Sequence, residues 1–209
     1  MLTSPTIGKL ALRRQPQDVD LAAFEVRLVR DLNDFHKVSI VRSVAFIGEQ
    51  HCPFDEEFDG NDLSATHLLA FHGGEPVATL RLRWFASFGK IERVCVMPRH
   101  RGSKVVSVLL AHAFEFASRK GYRLMIAQIQ ARLWPLWSRM LHCELRTSRP
   151  SFYFSDFEYY EIDIPLRSHP KAIRKDADPY LMIRPEGEWD KPGILDASLD
   201  RSGYGDKAA

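Results

Sequence analysis

The sequence predicts an α/β domain in which a mixed central β-sheet is flanked by helices. Three observations support that expectation. Stretches of period-two alternation are interleaved with stretches whose apolar residues recur at helical spacing. A Gly73-Gly74 pair lies between two of the alternating stretches, where a tight hairpin needs positive φ at both central positions. The chain has 209 residues, 45% hydrophobic and 27% charged, which suits one folded body with a sizeable core rather than a disordered chain.

Residues 1–22 are polar and interrupted by proline, and read as an N-terminal arm. The domain proper is expected over 23–165. Phe24 to Val29 alternates and reads as a strand. Phe35, Val38, Val41 and Ala45 recur at helical spacing, which predicts an amphipathic helix from Asp34 to Phe46. The acidic stretch His51–Asp62 has little periodicity and is a loop or a short helical turn. Thr66–Phe71 and Val77–Phe85 are strands around the Gly-Gly turn. In the second, Leu80, Leu82 and Trp84 alternate with Thr79, Arg81 and Arg83, one dry face and one wet. Ile91–Met97 is a further strand, stopped by Pro98. Val106, Leu109, Leu110, Ala113 and Ala117 form a helical stripe, with Ser103 as the expected N-cap and Gly121 as the stop. Leu124–Gln130 is a short strand, and Trp134–Leu141 a second helix that tolerates Pro135 in its first turn. Phe157–Ile164 is the last strand, ended by Pro165. The extension over 166–209 carries Tyr180, Leu181, Met182, Ile183 and Trp189. These are too apolar for a free tail, so they are expected to pack on the domain or on a partner subunit, a homodimer in the second case.

Several function classes fall away. No apolar run is long enough to span a bilayer as a helix, and the first residues lack the apolar region of a signal peptide. Cys52, Cys95 and Cys143 are too few and too scattered for a disulfide framework or a CxxC zinc site. His51, His67 and His72 lack metal-ligand spacing, so no metal is expected. Together these predict a reduced, cytoplasmic protein. Lys and Arg total 29 against 27 Asp and Glu, a net +2 that argues against a general grip on nucleic acid.

Charge is nevertheless concentrated at one place. Arg99-His100-Arg101-Gly102-Ser103-Lys104 joins a strand to a helix. The free N–H groups and dipole of a helix start favour an anion, Gly102 lets the backbone come close to it, and Arg101 and Lys104 add positive charge. Neither GxxxxGK[ST] nor GxGxxG with a ribose-binding acid is present, so a P-loop or Rossmann enzyme is not supported.

The segment Val94-Cys95-Val96-Met97-Pro98-Arg99-His100-Arg101-Gly102-Ser103-Lys104 resembles the acyl-CoA signature of the GNAT acetyltransferase superfamily, a V-x-V-x-P strand end followed by [QR]-x-x-G-x-[GA]. Arg99 and Gly102 fill the first two anchor positions, whereas Lys104 stands where a small residue is usual. The resemblance runs from about Phe24 to Ile164. It implies acetyl-CoA or another acyl-CoA as co-substrate, held by Val94, Val96, Arg99, Arg101, Gly102, Ser103 and Lys104, and a small-molecule primary amine as acceptor. It implies Glu92 as the base that takes the ammonium proton. The bland role of Glu92 is an ion pair with Arg93, Arg81 or Arg83. Trp137 takes the position where the family often has a Tyr general acid. Glu57, Asp59, Trp84 and Trp137 are expected to face the acceptor; for Glu57 and Asp59 a solvated acidic loop is the alternative.

Phe46-Ile47-Gly48-Glu49-Gln50, Glu57–Asp62 and Ala65–Ala70 are also similar to the first half of two branches, the small-molecule acetyltransferases and the acyl-homoserine-lactone and N-acyl amino acid synthases, and Glu92-Arg93 is similar to the synthase branch. That alternative implies an acyl-carrier-protein donor. The aromatic stretch Phe152–Tyr160 then lines an acyl pocket, or is plain sheet packing. A further alternative, suggested by Lys104 and Trp137, is a catalytically silent domain that binds acyl-CoA.

Overall fold

The computed structural model describes residues 23–202. The N-terminal arm over 1–22 lies outside the described residues. Eight strands form one sheet: β1 (Glu25–Leu28), β2 (Thr66–His72), β3 (Glu75–Trp84), β4 (Gly89–Val96), β5 (Leu124–Gln130), β6 (Glu144–Leu145), β7 (Phe152–Phe154) and β8 (Phe157–Pro165). Their order across the sheet is β1-β2-β3-β4-β5-β8-β6, with β7 also on β8. Among the described residues only the β4–β5 pair is parallel.

One face is covered by α3 (Val105–Arg119), whose buried side includes Val105, Leu109, Ala113 and Phe116. They pack on Leu68, Leu80, Leu82, Ile91 and Met125 in the main core. The other face is covered in part by α1 (Leu32–Arg42), where Val38 and Val41 meet Leu69, Phe71 and Cys95. Asp31 caps α1 by accepting from Asp34 N at 2.8 Å. Beyond Arg42 the helix widens into a π-helix over Ser43–Glu49 instead of ending near Phe46. A single turn, α2 (Phe54–Glu57), follows it, and α4 (Trp134–Met140) follows β5.

The Gly73-Gly74 turn has both residues at positive φ and pairs His72 with Glu75, as expected. The β7–β8 hairpin has no such signal. Its turn is Ser155-Asp156, two side-chain-bearing residues at φ 44 and 64, a conformation that usually calls for Asn or Gly. Nor is Ser103 the N-cap of α3. Lys104 holds that position with no side-chain bond to the helix, while Ser103 Oγ donates to His100 O at 2.6 Å and accepts only a long bond, 3.4 Å, from Val105 N.

The extension returns along β1 and α3, through the short helices α5 (Pro179–Ile183) and α6 (Ala197–Ser202). Trp189 is buried and stacks on Phe116 with ring centroids 5.2 Å apart. Leu181 also meets the main core, whereas Met182 and Ile183 stay about half exposed (47% and 52%). Among the described residues no helix is long and apolar enough to cross a membrane.

Candidate active site

The two parallel strands part company halfway along. Pairing between β4 and β5 runs from Gly89–Met125 to Ile91–Ala127 and goes no further. On its other side β4 carries a bulge: Glu92 faces Arg81 and Cys95 faces Thr79, so Arg93 and Val94 together oppose Leu80. Arg93 adopts φ 52, unusual for a residue with a side chain. An extra residue bends a strand and re-aims its side chains. Past Ile91, then, β4 leaves β5, and the gap opens into a cavity of about 410 Å³.

Two kinds of wall enclose that cavity. The aromatic wall is built by Phe46, Trp137, Phe152, Phe154 and Tyr159. The charged wall includes Glu57, Asp59, Arg83, Lys90, Glu92 and Arg93. The segment from the end of α2 to β2 is held to α1 and to the sheet by three arginines. Arg42, fully buried, donates to Glu57 Oε1 at 2.5 Å and to Asp62 Oδ1 at 2.6 Å. Arg81, also buried, reaches both carboxylate oxygens of Asp59 at 2.7–2.8 Å and Glu92 Oε2 at 2.6 Å. Arg93 Nε lies 2.9 Å from Glu57 Oε2. Buried charges persist only when paired in this way.

The proton affinities follow from these pairs. Burial works against the charge of Glu92, but the bond from Lys90 Nζ (2.7 Å) and the charges of Lys90 and Arg81 outweigh it, so its pKa falls. Burial is likewise the largest influence on Asp59 and Asp62. The bonds from Arg81, and for Asp62 from Arg42, override it and hold both below the ordinary range. For Glu57 burial prevails over Arg42 and Arg93, and its pKa rises. Burial also raises the Tyr159 phenol, whose oxygen accepts a long bond from Gln130 Nε2 at 3.4 Å.

At the far end of β4 the basic loop stands open. Gly102 has φ 78, and a side chain there meets nothing within 4 Å. Arg99 pairs with Glu75 and Arg101 with Glu49, both on the surface. Lys104 makes no capping bond to α3, and Val105 N donates a long bond of 3.4 Å to Ser103 Oγ.

Most of the residues singled out from the sequence therefore lie along one line, from the loop through Val94 to Glu92. Trp84 does not. It sits on the α3 face, stacked on Tyr122 at 4.9 Å and donating to Thr66 Oγ1 at 3.0 Å, so it is a core side chain and not a cavity wall. The alternation of β3 explains the misplacement, since Trp84 shares the face of Leu80 and Leu82. Glu57 and Asp59 do line the cavity, but as partners of arginines rather than as free acids. Phe46, Gln50, Arg93, Gln130 and Arg132 were not anticipated as lining residues. The density of aromatics over Phe152–Tyr160 was the one sequence signal for the opposite wall. Among the described residues no cluster of three or more His, Cys, Asp or Glu is arranged to hold a metal ion.

Residues 33–141 match the acetyltransferase (GNAT) family. This chain is a member of that family. A candidate acetyltransferase of Bacillus subtilis (strain 168) is 35% identical over 79 residues, 36% of this chain and 54% of that protein, so the GNAT chain spans about half of that relative. An acyl-CoA N-acyltransferase from Pseudomonas aeruginosa has the same fold at a TM-score of 0.61, with 23% identity over 67% of this chain and 98% of its own. FeeM, an N-acyl amino acid synthase from uncultured soil microbes, has it at a TM-score of 0.59 and 11% identity, over 85% of this chain and 98% of its own. At these identities the two structures speak to the fold of the GNAT chain alone.

Proposed function

We propose that this GNAT chain transfers an acyl group from a CoA thioester to the primary amine of a small molecule. The observation that carries the reading is the parting of β4 from β5 after Ile91 and Ala127. A strand that has lost its neighbour keeps backbone N–H and C=O groups unpaired, and an extended pantetheine arm can satisfy them. Val94 and Val96 are the residues for that pairing, with a backbone N–H at Val94 polarising the thioester carbonyl. The open loop fits a pyrophosphate: Gly102 admits the backbone approach, Lys104 makes no capping bond to α3, and Arg99, Arg101, Ser103 and Lys104 stand around it.

Acceptor and donor then meet at the gap. The amine attacks the carbonyl carbon, its proton passes to Glu92 directly or through one water, and the CoA thiolate leaves. Glu92 is ionised at neutral pH and ready to accept a proton, although its depressed pKa makes it a weak base. Trp137 lends shape to the aromatic wall and has no proton to give.

Binding tests the donor directly. CoA is expected to raise the Tm of the full chain more than pantetheine does, by mass-action linkage. Gly102→Glu should erase the difference by placing a carboxylate in the anion site. Equal stabilisation by both ligands, or an undiminished gain in the variant, would count against the reading.

A second reading, in which an acyl carrier protein delivers the acyl group, is favoured by one observation. The fold of FeeM extends over 85% of this chain, against 67% for the Pseudomonas aeruginosa structure, so its likeness reaches beyond the common domain. Turnover with an acyl-carrier-protein thioester but not with the same acyl-CoA would establish that donor.

A further inference from the structure

On the acyl-transfer reading, on which this inference rests, the C–S bond breaks with its electron pair on the CoA sulfur, and that sulfur needs a proton. Trp137 has none to give and Glu92 is ionised. Four hydroxyl or thiol groups line the cavity, those of Cys52, Tyr153, Ser155 and Tyr159. Ser155 Oγ donates to Glu56, which leaves its oxygen to accept from Cys52 Sγ, 3.2 Å away, so both protons are engaged within the wall. Tyr153 is 74% exposed and stands largely in water.

Tyr159 differs from these. Its oxygen accepts from Gln130 Nε2 at 3.4 Å, and among the described residues its hydroxyl proton has no acceptor. The direction of that bond is settled by Arg132, whose Nε donates to Gln130 Oε1 at 2.7 Å. The buried amide is thereby turned so that its nitrogen faces Gln50 Oε1, at 2.8 Å, and the phenol. Two observations set Tyr159 at the gap. It pairs with Gln130, the end of β5, beyond Ala127 where β4 departs. Arg93, beside Val94 in the β4 bulge, lies over the Phe154 ring at 5.6 Å, and Phe154 meets the Tyr159 ring edge-on at 5.7 Å. Tyr160, the next residue, packs on the main core instead, as strand alternation requires.

We infer that Tyr159 is the acid of the reaction, giving its hydroxyl proton to the CoA sulfur as the C–S bond breaks, with Gln130 as its positioning residue. The C–N bond forms first. The nitrogen then sheds a proton to water, the electron pair of the C–S bond goes to sulfur, and sulfur takes the phenol proton. The phenolate, stabilised by the bond from Gln130, recovers a proton from water, equal to the one the nitrogen shed. Burial keeps the phenol protonated at neutral pH between turnovers.

Titration of the CoA thiol bound to the full chain tests this without turnover. The readout is the ultraviolet absorbance of the thiolate, measured against the complex with desulfo-CoA. Tyr159→Phe keeps the ring and removes the proton. The bound thiol is expected to be about 10-fold or more acidic in the native chain than in this variant, the gain of one charge-assisted hydrogen bond. CoA affinity at neutral pH and Tm should stay near their original values, and Tyr153→Phe should leave the thiol unmoved. Gln130→Met, which leaves the phenol in place without its partner, should also make the thiol less acidic; no change there overturns the role of Gln130. Equal thiol acidity in the native chain and Tyr159→Phe overturns the inference while the acyl-transfer reading stands. So does a Tyr159→Phe variant that no longer binds CoA, since the hydroxyl then holds the donor. A native chain that does not bind CoA removes the acyl-transfer reading, and the inference with it.

Discussion

At the scale of single residues, Glu92 carries two demands that pull apart. It is one of the carboxylates that neutralise Arg81, and it is the acid nearest the point where β4 leaves β5. With a competent amine, Glu92→Gln is expected to lower kcat on the order of 10²-fold while CoA affinity stays near its original value. Because its pKa is depressed, Glu92 does not titrate near neutrality. The rise of rate with pH should therefore follow the free amine, and the deficit of the variant should shrink at high pH. Trp137→Phe should keep most activity. If Glu92→Gln leaves kcat intact but lowers Tm, the carboxylate is a structural partner of Arg81 and Lys90, and Glu57 becomes the next base to test.

Among the elements, the β7–β8 hairpin does the most with the least local encouragement. Ser155 and Asp156 both sit at positive φ, which costs side-chain-bearing residues about 1 kcal/mol or more each. The turn is held by contacts elsewhere: Ser155 Oγ bonds Glu56 and lies 3.2 Å from Cys52 Sγ, and Arg93 rests over Phe154 at 5.6 Å. Asp156 has no part in those contacts, so Asp156→Gly is expected to relieve strain without disturbing the cavity. A gain of about 0.5–1 kcal/mol corresponds to a Tm higher by about 1–4 °C. A lower Tm by differential scanning calorimetry would show that Asp156 contributes something its backbone angle does not explain. The hairpin was not legible in the sequence for the same reason: no glycine or asparagine marks the turn. The Gly73-Gly74 hairpin was legible because its turn chemistry is local.

On the scale of the whole molecule, the extension completes the core. Trp189 covers Phe116, Gly187 lies against Leu28, and Glu188 and Asp190 pair with Arg30 and Arg119. Truncation after Arg167 uncovers Phe116. Losing a buried Trp costs about 3 kcal/mol, which for a chain of this length is a Tm lower by about 6–12 °C. An unchanged Tm and an unchanged mass in solution would show the extension to be dispensable. The ionic cluster adds a pH signature. Asp59, Asp62 and Glu92 hold protons less tightly in the fold than in the open chain. Their stabilisation is present above their ordinary pKa values of about 4 and is lost as pH falls through the depressed folded values. Glu57 acts in the opposite sense: its raised pKa favours the fold in acid, and that share is lost as pH rises through the folded value. Three groups outweigh one, so Tm should be highest near neutral pH and fall below about pH 4; a Tm that stays level from pH 7 to pH 3 would contradict the pairing.

What the sequence determined by itself is what neighbouring residues can settle: the mixed α/β class, the hairpin at Gly73-Gly74, and the basic loop that joins β4 to α3 and carries the GNAT resemblance. Periodicity and turn chemistry depend on a few residues in a row, so they can be read along the chain. Only the tertiary structure decided which charges meet. Arg42, Arg81 and Arg93 reach Glu57, Asp59, Asp62 and Glu92 across turns and strands far apart in the chain, and Trp84 was drawn to the core side by its place in β3. A charge read alone is ordinarily a solvated one. Buried in a low-dielectric interior it must find an opposite charge, and the packing of distant segments determines which one it finds.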